Sequence, residues 1–139
     1  MKTSLIIPAW NAEKTISDCI ISSIEADNSP EEIIIVDDCS EDKTINVILN
    51  LQKKHPKIKL LRMDINSGPS AARDYGVHKA KGKILFFTDS DTIFLNNTFS
   101  NCLSTILKYN ADAVSGIYHP EPINLGKTQL YKALFFYFH

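Results

Sequence analysis

The sequence predicts an α/β protein, a largely parallel sheet flanked by helices. Three observations predict it. Short apolar runs alternate with segments of helical period. The runs at 5–7, 33–36 and 84–87 are continuously apolar, as strands covered on both faces are. Turn-forming residues separate the segments near 27–30, 55–56 and 66–68. Right-handed crossovers would stack such strands side by side.

The elements follow in order. Lys2 to Ile7 reads as a buried strand stopped by Pro8. Glu13 to Ile24 places Ile16, Ile20 and Ile24 on one helical face, with Cys19 and Ser23 beside them. Glu32 to Val36 is the second strand. Ser40 is a candidate cap for a helix starting near Glu41, with Ile45, Ile48, Leu49 and Gln52 on one face and an end at His55-Pro56. Lys57 to Met63 is the third strand. After the Asn66-Ser67-Gly68 turn, Pro69 suits a first helical turn. That helix runs through Ala71, Ala72, Tyr75 and Ala80, with Gly82 as the expected C-cap. Lys83 to Thr88 is the fourth strand. Thr98 to Tyr109 carries Phe99, Cys102, Leu103, Ile106 and Leu107 on one face. Ala113-Val114-Ser115 is the candidate fifth strand.

Composition narrows the function classes. The 139 residues suit one domain with a real core. A net charge of -1, with arginine only at Arg62 and Arg73, argues against a nucleic-acid partner. Three unpatterned cysteines read as free thiols in a reducing compartment. No signal-peptide pattern and no run of about 20 apolar residues is present. The expected location is therefore the cytoplasm, with peripheral contact at the inner face of the membrane left open.

Ligands of open α/β sheets bind beyond the carboxyl ends of the strands. After strand one come Pro8, Ala9, Trp10, Asn11 and Glu13. Trp10 suits stacking on a planar base, or service as a core or lid aromatic. Asn11 suits capping, and Glu13 suits the positive end of a helix without any function. After strand two, Asp37 and Asp38 are adjacent carboxylates that need amides, a cation or a ligand to offset their repulsion. After strand four, Asp89 and Asp91 flank Ser90 on a short loop. Such a pair can converge on a hard cation such as Mg2+ or Mn2+, which would hold diphosphate oxygens. Arg73, one turn into its helix, suits a base or diphosphate, or a salt bridge to Asp74 or Asp37. Gly68 suits close packing or a positive φ. Neither a GxGxxG nor a P-loop is present, against dinucleotide or P-loop chemistry.

Four blocks in this order resemble a family 2 glycosyltransferase of the GT-A fold. They are Ile6-Ile7-Pro8-Ala9-Trp10-Asn11-Ala12-Glu13, Ile33-Ile34-Ile35-Val36-Asp37-Asp38-Cys39-Ser40, Asn66 through Gly76, and Gly82 through Asp91. The resemblance implies a Rossmann-like core over residues 1–117, with 118–139 beginning an incomplete acceptor-side portion. It implies that Pro8, Ala9 and Trp10 wrap the nucleotide base and that Glu13 lies near the nucleoside. Asp38, with Asp37 beside it, would contact uracil or ribose. Arg73 would meet base or diphosphate, and Asp89 and Asp91 would surround ribose and metal. Members transfer a sugar from a nucleotide donor, usually UDP-linked, to an acceptor hydroxyl, and most invert the anomeric centre. Trp10 stands where tyrosine is usual, Cys39 for a common glycine, Asp74 for a frequent asparagine, and Thr92 for an occasional aspartate.

No general base can be nominated: Glu121, in a His119-Pro120-Glu121-Pro122 turn, matches no base motif. Two other readings compete with a metal-dependent transferase. One is a nucleotidyltransferase, which would want a glycine-rich basic loop after strand one. The other is a non-catalytic sugar-nucleotide-binding piece or scaffold. Sugar, acceptor (saccharide, lipid or protein) and oligomeric state are not legible.

Overall fold

The computed structural model describes residues 1–117. They form one compact unit, Met1–Phe99, and the beginning of a second that starts at Ser100. Readings placed on 118–139, Glu121 and the aromatic tail included, lie outside the described residues.

The elements are β1 (Thr3–Ala9), α1 (Ile16–Glu25), β2 (Glu32–Asp37), α2 (Thr44–Lys54), β3 (Ile58–Arg62), α3 (Gly68–Lys79), β4 (Ile84–Phe87) and α4 (Thr98–Tyr109). The sheet order is β3-β2-β1-β4, and every pairing is parallel. The predicted α/β architecture is the observed one. Parallel neighbours need crossovers, and each crossover here carries a helix.

Residues of β1 and β2 are all buried, which their central position explains. One face offers Leu5, Ile7, Ile33 and Ile35 to Ile16, Cys19 and Ile20 of α1 and Ile48 of α2. The other offers Ile34 and Val36 to Ala72 of α3. Gly76 lets α3 press close, since a Cβ there would meet Ile6 Cγ2 at 2.7 Å.

Several expectations need correction. β4 is as apolar as predicted but lies at the edge of the described sheet, and Phe87 is 50% exposed. An apolar run reports affinity for burial; its place in the sheet decides how much is achieved. Leu49 is 41% exposed instead of core. α3 stops at Lys79, so Gly82 is not its cap. Gly82 instead passes so close to β1 that a Cβ would meet the Ser4 amide nitrogen at 2.5 Å. Residues 113–115 form no strand; only three residues long and mostly exposed, they have too little to bury. α4 ends where Asn110 turns to φ 48, and the Ala111 amide donates to the Ile106 carbonyl at 3.1 Å.

At the amino-terminal ends of the strands, buried Glu32 holds the sheet's foot together. It accepts from the Ser4 hydroxyl at 2.5 Å and the Lys81 amide at 2.9 Å, and pairs with Lys59. Burial pushes its carboxyl up, but the bonds from Lys59, Ser4 and Lys81 prevail and hold it at about 2.

Candidate functional site

Parallel register brings the loops after β1, β2 and β4 to one end of the sheet. Ala9 pairs with Asp37, so β1 and β2 end level, while β4 ends at Phe87 opposite Ile6 and its loop covers the remaining height beside β1. The loops surround an open cleft of about 940 Å³. Pro8, Ala9, Trp10, Asp38, Gly68, Asp89, Ser90 and Asp91 line it. Glu13, Asp37 and Arg73 do not line it. Asn11, Ala12, Thr15, Cys39, Glu41, Asn66 and Pro69 complete the lining. The sequence read Asn11 as a cap, Glu41 as a helix start, Asn66 as a turn, Pro69 as a first helical residue and Cys39 as a free thiol, named Ala12 only within a block, and assigned Thr15 nothing. For most of them the signal available was adjacency to a candidate.

Trp10 lines the cleft and is 58% exposed, so it is not a core aromatic. The loop behind it is fastened to the one after β2. The Asn11 amide donates to Ser40 Oγ at 2.9 Å, and the Glu41 amide donates to Asn11 Oδ1 at 2.9 Å. The Ala12 amide donates to Thr44 Oγ1 at 2.8 Å, and the Lys43 amide donates to Glu13 Oε2 at 3.0 Å. Asn11, Ser40 and Glu13 thus bind loop to loop instead of capping their own helices. α1 begins only at Ile16 and α2 only at Thr44, later than expected.

The adjacent carboxylates are separated by environment. Asp37 is fully buried; its Oδ2 accepts from the Ser40 amide at 3.3 Å and lies 3.8 Å from Arg62 Nε, while Oδ1 has no partner among the described residues. Asp38 is 3% exposed and accepts the Ser67 amide on Oδ1 at 2.8 Å and the Gly68 amide on Oδ2 at 2.7 Å. It therefore caps α3, across 29 and 30 residues of sequence. Gly68 takes φ 85, a conformation that favours glycine.

Arg73, carried by α3, pairs with Asp89 and not with Asp74 or Asp37. Asp89 is 55% exposed and Arg73 32%. Beneath the Asp89 loop, the Cys19 thiol reaches the Asp89 carbonyl at 3.5 Å. Burial first, then the charge of Asp91, pushes that thiol up to about 12, so it remains a donor. The Thr92 amide donates to the Asp89 carbonyl at 3.2 Å, closing the turn that holds Asp89 and Asp91.

Oxygen-only donors of this kind suit a hard divalent cation. Among the described residues no group of three or more His, Cys, Asp or Glu is placed to hold a metal. No helix of the described residues is long and apolar enough to cross a membrane.

Comparison with known proteins bears on this geometry. The profile of "Glycosyl transferase family 2" matches residues 4–138. An "Uncharacterized glycosyltransferase" of Haemophilus influenzae is 35% identical over 115 residues, covering 83% of this chain and 46% of that protein. The Escherichia coli "UDP-Glc:alpha-D-GlcNAc-diphosphoundecaprenol beta-1,3-glucosyltransferase WfgD" is 34% identical over 115 residues, covering 83% of this chain and 45% of its own. The crystal structure of Staphylococcus aureus TarS 1-349 in complex with UDP-GlcNAc superposes with a TM-score of 0.72 at 28% identity, covering 88% of this chain and 39% of that one. A Pyrobaculum calidifontis mannosyltransferase shares the fold, with a TM-score of 0.79 at 22% identity, over 96% of this chain and 38% of its own. The chain spans less than half the length of these relatives. With the family profile spanning nearly all of the sequence, and with relatives above 30% identity, the chain belongs to glycosyl transferase family 2.

Proposed function

We propose that the cleft binds a nucleotide-diphosphate sugar, UDP-linked, as the donor for transfer to an acceptor hydroxyl with inversion. One observation carries this reading. Four carboxylates, Asp38, Glu41, Asp89 and Asp91, line the cleft, and among the described residues no Lys, Arg or His does. A diphosphate entering alone would meet four carboxylates and, at Arg73, one cation already paired with Asp89. A divalent cation held by Asp89 and Asp91 reverses that balance and neutralises charge on the departing diphosphate. Mg2+ or Mn2+ fits such oxygen donors.

The chain's own residues then divide the donor between them. Trp10 offers its exposed face to the base, with Pro8 and Ala9 as the wall behind it. Asp38, its oxygens engaged by the α3 amides, fixes the floor and retains lone pairs toward a base N–H or ribose hydroxyl. Gly68 lets the backbone come near. Ser90 lies between the two metal-facing carboxylates, Arg73 stands beside the diphosphate position, and Asp37 and Glu13 support the loops from outside the cleft. The TarS complex with UDP-GlcNAc and the UDP-glucose donor in the name of the Escherichia coli relative support a uridine donor.

Calorimetric titration of UDP into the chain tests the reading. Binding is expected with Mn2+ or Mg2+ and to weaken at least tenfold without the metal, or in Asp89→Ala or Asp91→Ala. Equal affinity in all four conditions would remove the metal and the two carboxylates from the site.

A further inference from the structure

We propose that Arg73 is the resident counter-ion of Asp89 while the donor is absent, and that it must leave before Asp89 can ligate a divalent cation. Divalent-metal binding is then tied to donor binding by an exchange of partners at one carboxylate. The proposal rests on the donor-site reading above and goes beyond it by assigning how the site is kept until the donor arrives.

The argument begins with placement. Asp38 accepts the Ser67 and Gly68 amides and so fixes the start of α3 against the β2 loop. Arg73 follows on that helix, and its guanidinium reaches the Asp89 carboxylate. Charge does the rest. Around the cleft the lining carboxylates repel one another, and Arg73 offsets that repulsion at Asp89.

With Asp89 so engaged, Asp91 is the carboxylate left for a cation. One carboxylate and water make a weak site for Mg2+ or Mn2+. The pair is nonetheless built to part. At 55% and 32% exposure neither group is sealed away, and exposed ion pairs are worth little net stability. An arriving diphosphate supplies Arg73 with a second anion and supplies the cation with further oxygens. Asp89 then exchanges its guanidinium for the cation at small cost. By linkage, each of metal and donor strengthens the other.

The inference makes an inverted prediction: removing a binding-site residue should improve binding of one ligand. Mn2+ is titrated by calorimetry into the nucleotide-free chain. Arg73→Gln is expected to bind Mn2+ about two- to fivefold more tightly than wild type, the scale of an exposed ion pair. Lys79→Gln removes the same charge from α3 without touching Asp89 and is expected to leave Mn2+ affinity unchanged. Arg73→Lys, a second variant that keeps the charge, is expected to fall between wild type and Arg73→Gln. With Mn2+ saturating, Arg73→Gln is expected to bind UDP more weakly than wild type. Mn2+ affinity in Arg73→Gln that equals or falls below wild type would overturn the proposal. So would an equal gain in Lys79→Gln, which would reduce the effect to net charge. Asp89→Asn separates the two readings. If, with UDP saturating, it leaves Mn2+ affinity intact, the donor-site reading fails; if it weakens Mn2+ binding there while Arg73→Gln brings no gain in the nucleotide-free chain, only the exchange fails.

Discussion

Replacing Asp38 by asparagine tests whether this carboxylate is first a structural anchor or first a ligand group. Its two oxygens accept the Ser67 and Gly68 amides at 2.8 and 2.7 Å, and the residue is 3% exposed. Hydrogen bonds to a charged group contribute roughly 1.5–3 kcal/mol each. Asparagine keeps one acceptor oxygen but turns an NH2 toward the other amide. One bond becomes neutral and the other donor is left unsatisfied, a loss of about 2–4 kcal/mol. Against a typical total of roughly 5–15 kcal/mol, that is a large fraction. For a chain of this size the melting midpoint should fall by roughly 8–15 °C. Thermal and urea unfolding, with and without UDP and Mn2+, measure it. A variant that melts within about 2 °C of wild type yet loses UDP affinity would refute the anchoring argument and make Asp38 a ligand group alone.

Two further predictions concern the frame. Glu32, held at about 2 instead of 4.5, is charged in the folded chain at pH values where the unfolded chain binds a proton. Its contribution is complete above the unfolded value and is lost as pH falls from about 4.5 toward 2, on the order of 2–3 kcal/mol. Urea midpoints of Glu32→Gln and wild type should therefore converge over that range and stay apart at neutral pH; parallel curves would refute the assignment. Cys39 adopts φ 62, where a Cβ is strained, and its thiol donates to the Met63 carbonyl at 3.1 Å. Cys39→Gly should raise the unfolding midpoint, because relief of about 1 kcal/mol of strain outweighs one weak thiol bond. A lowered midpoint would show the thiol contact to matter more.

The legible parts of the fold share a cause. β1 and β2 are runs of residues with one preference, buried from both sides, so pattern and position agree. β4 has the same pattern and an edge position, and there the pattern misleads. Helix starts were misread because Asn11, Glu13 and Ser40 carry capping chemistry but use it on a neighbouring loop. Short polar side chains accept from whichever amide is nearest, and sequence adjacency does not reveal which amide that is. The resemblance gathered residues from four separated segments that the structure brings into one cleft, with Glu13, Asp37 and Arg73 set outside its lining. Spacing alone offered Arg73 the near partners Asp74 and Asp37. The actual partner, Asp89, is 16 residues away and becomes a neighbour only through the sheet.

The cleft has two sides of unequal preparation. On the side proposed for the base, loop is bonded to loop through Asn11, Ser40, Thr44 and Glu13, and the β2 loop is bonded to α3 through Asp38. Ordering entropy there is spent on folding, so a planar group entering beside Trp10 meets a wall already in place. On the side proposed for the phosphates, Asp89 and Asp91 sit on an exposed turn, steadied by the thiol of Cys19 beneath and by Arg73 of α3. That side is held by contacts that an anion and a cation can exchange. The division suits the proposed uridine-linked donor, whose sugar-phosphate end would be gripped and then released. Base recognition calls for rigidity, while departure of a diphosphate calls for a site whose charges can change partners.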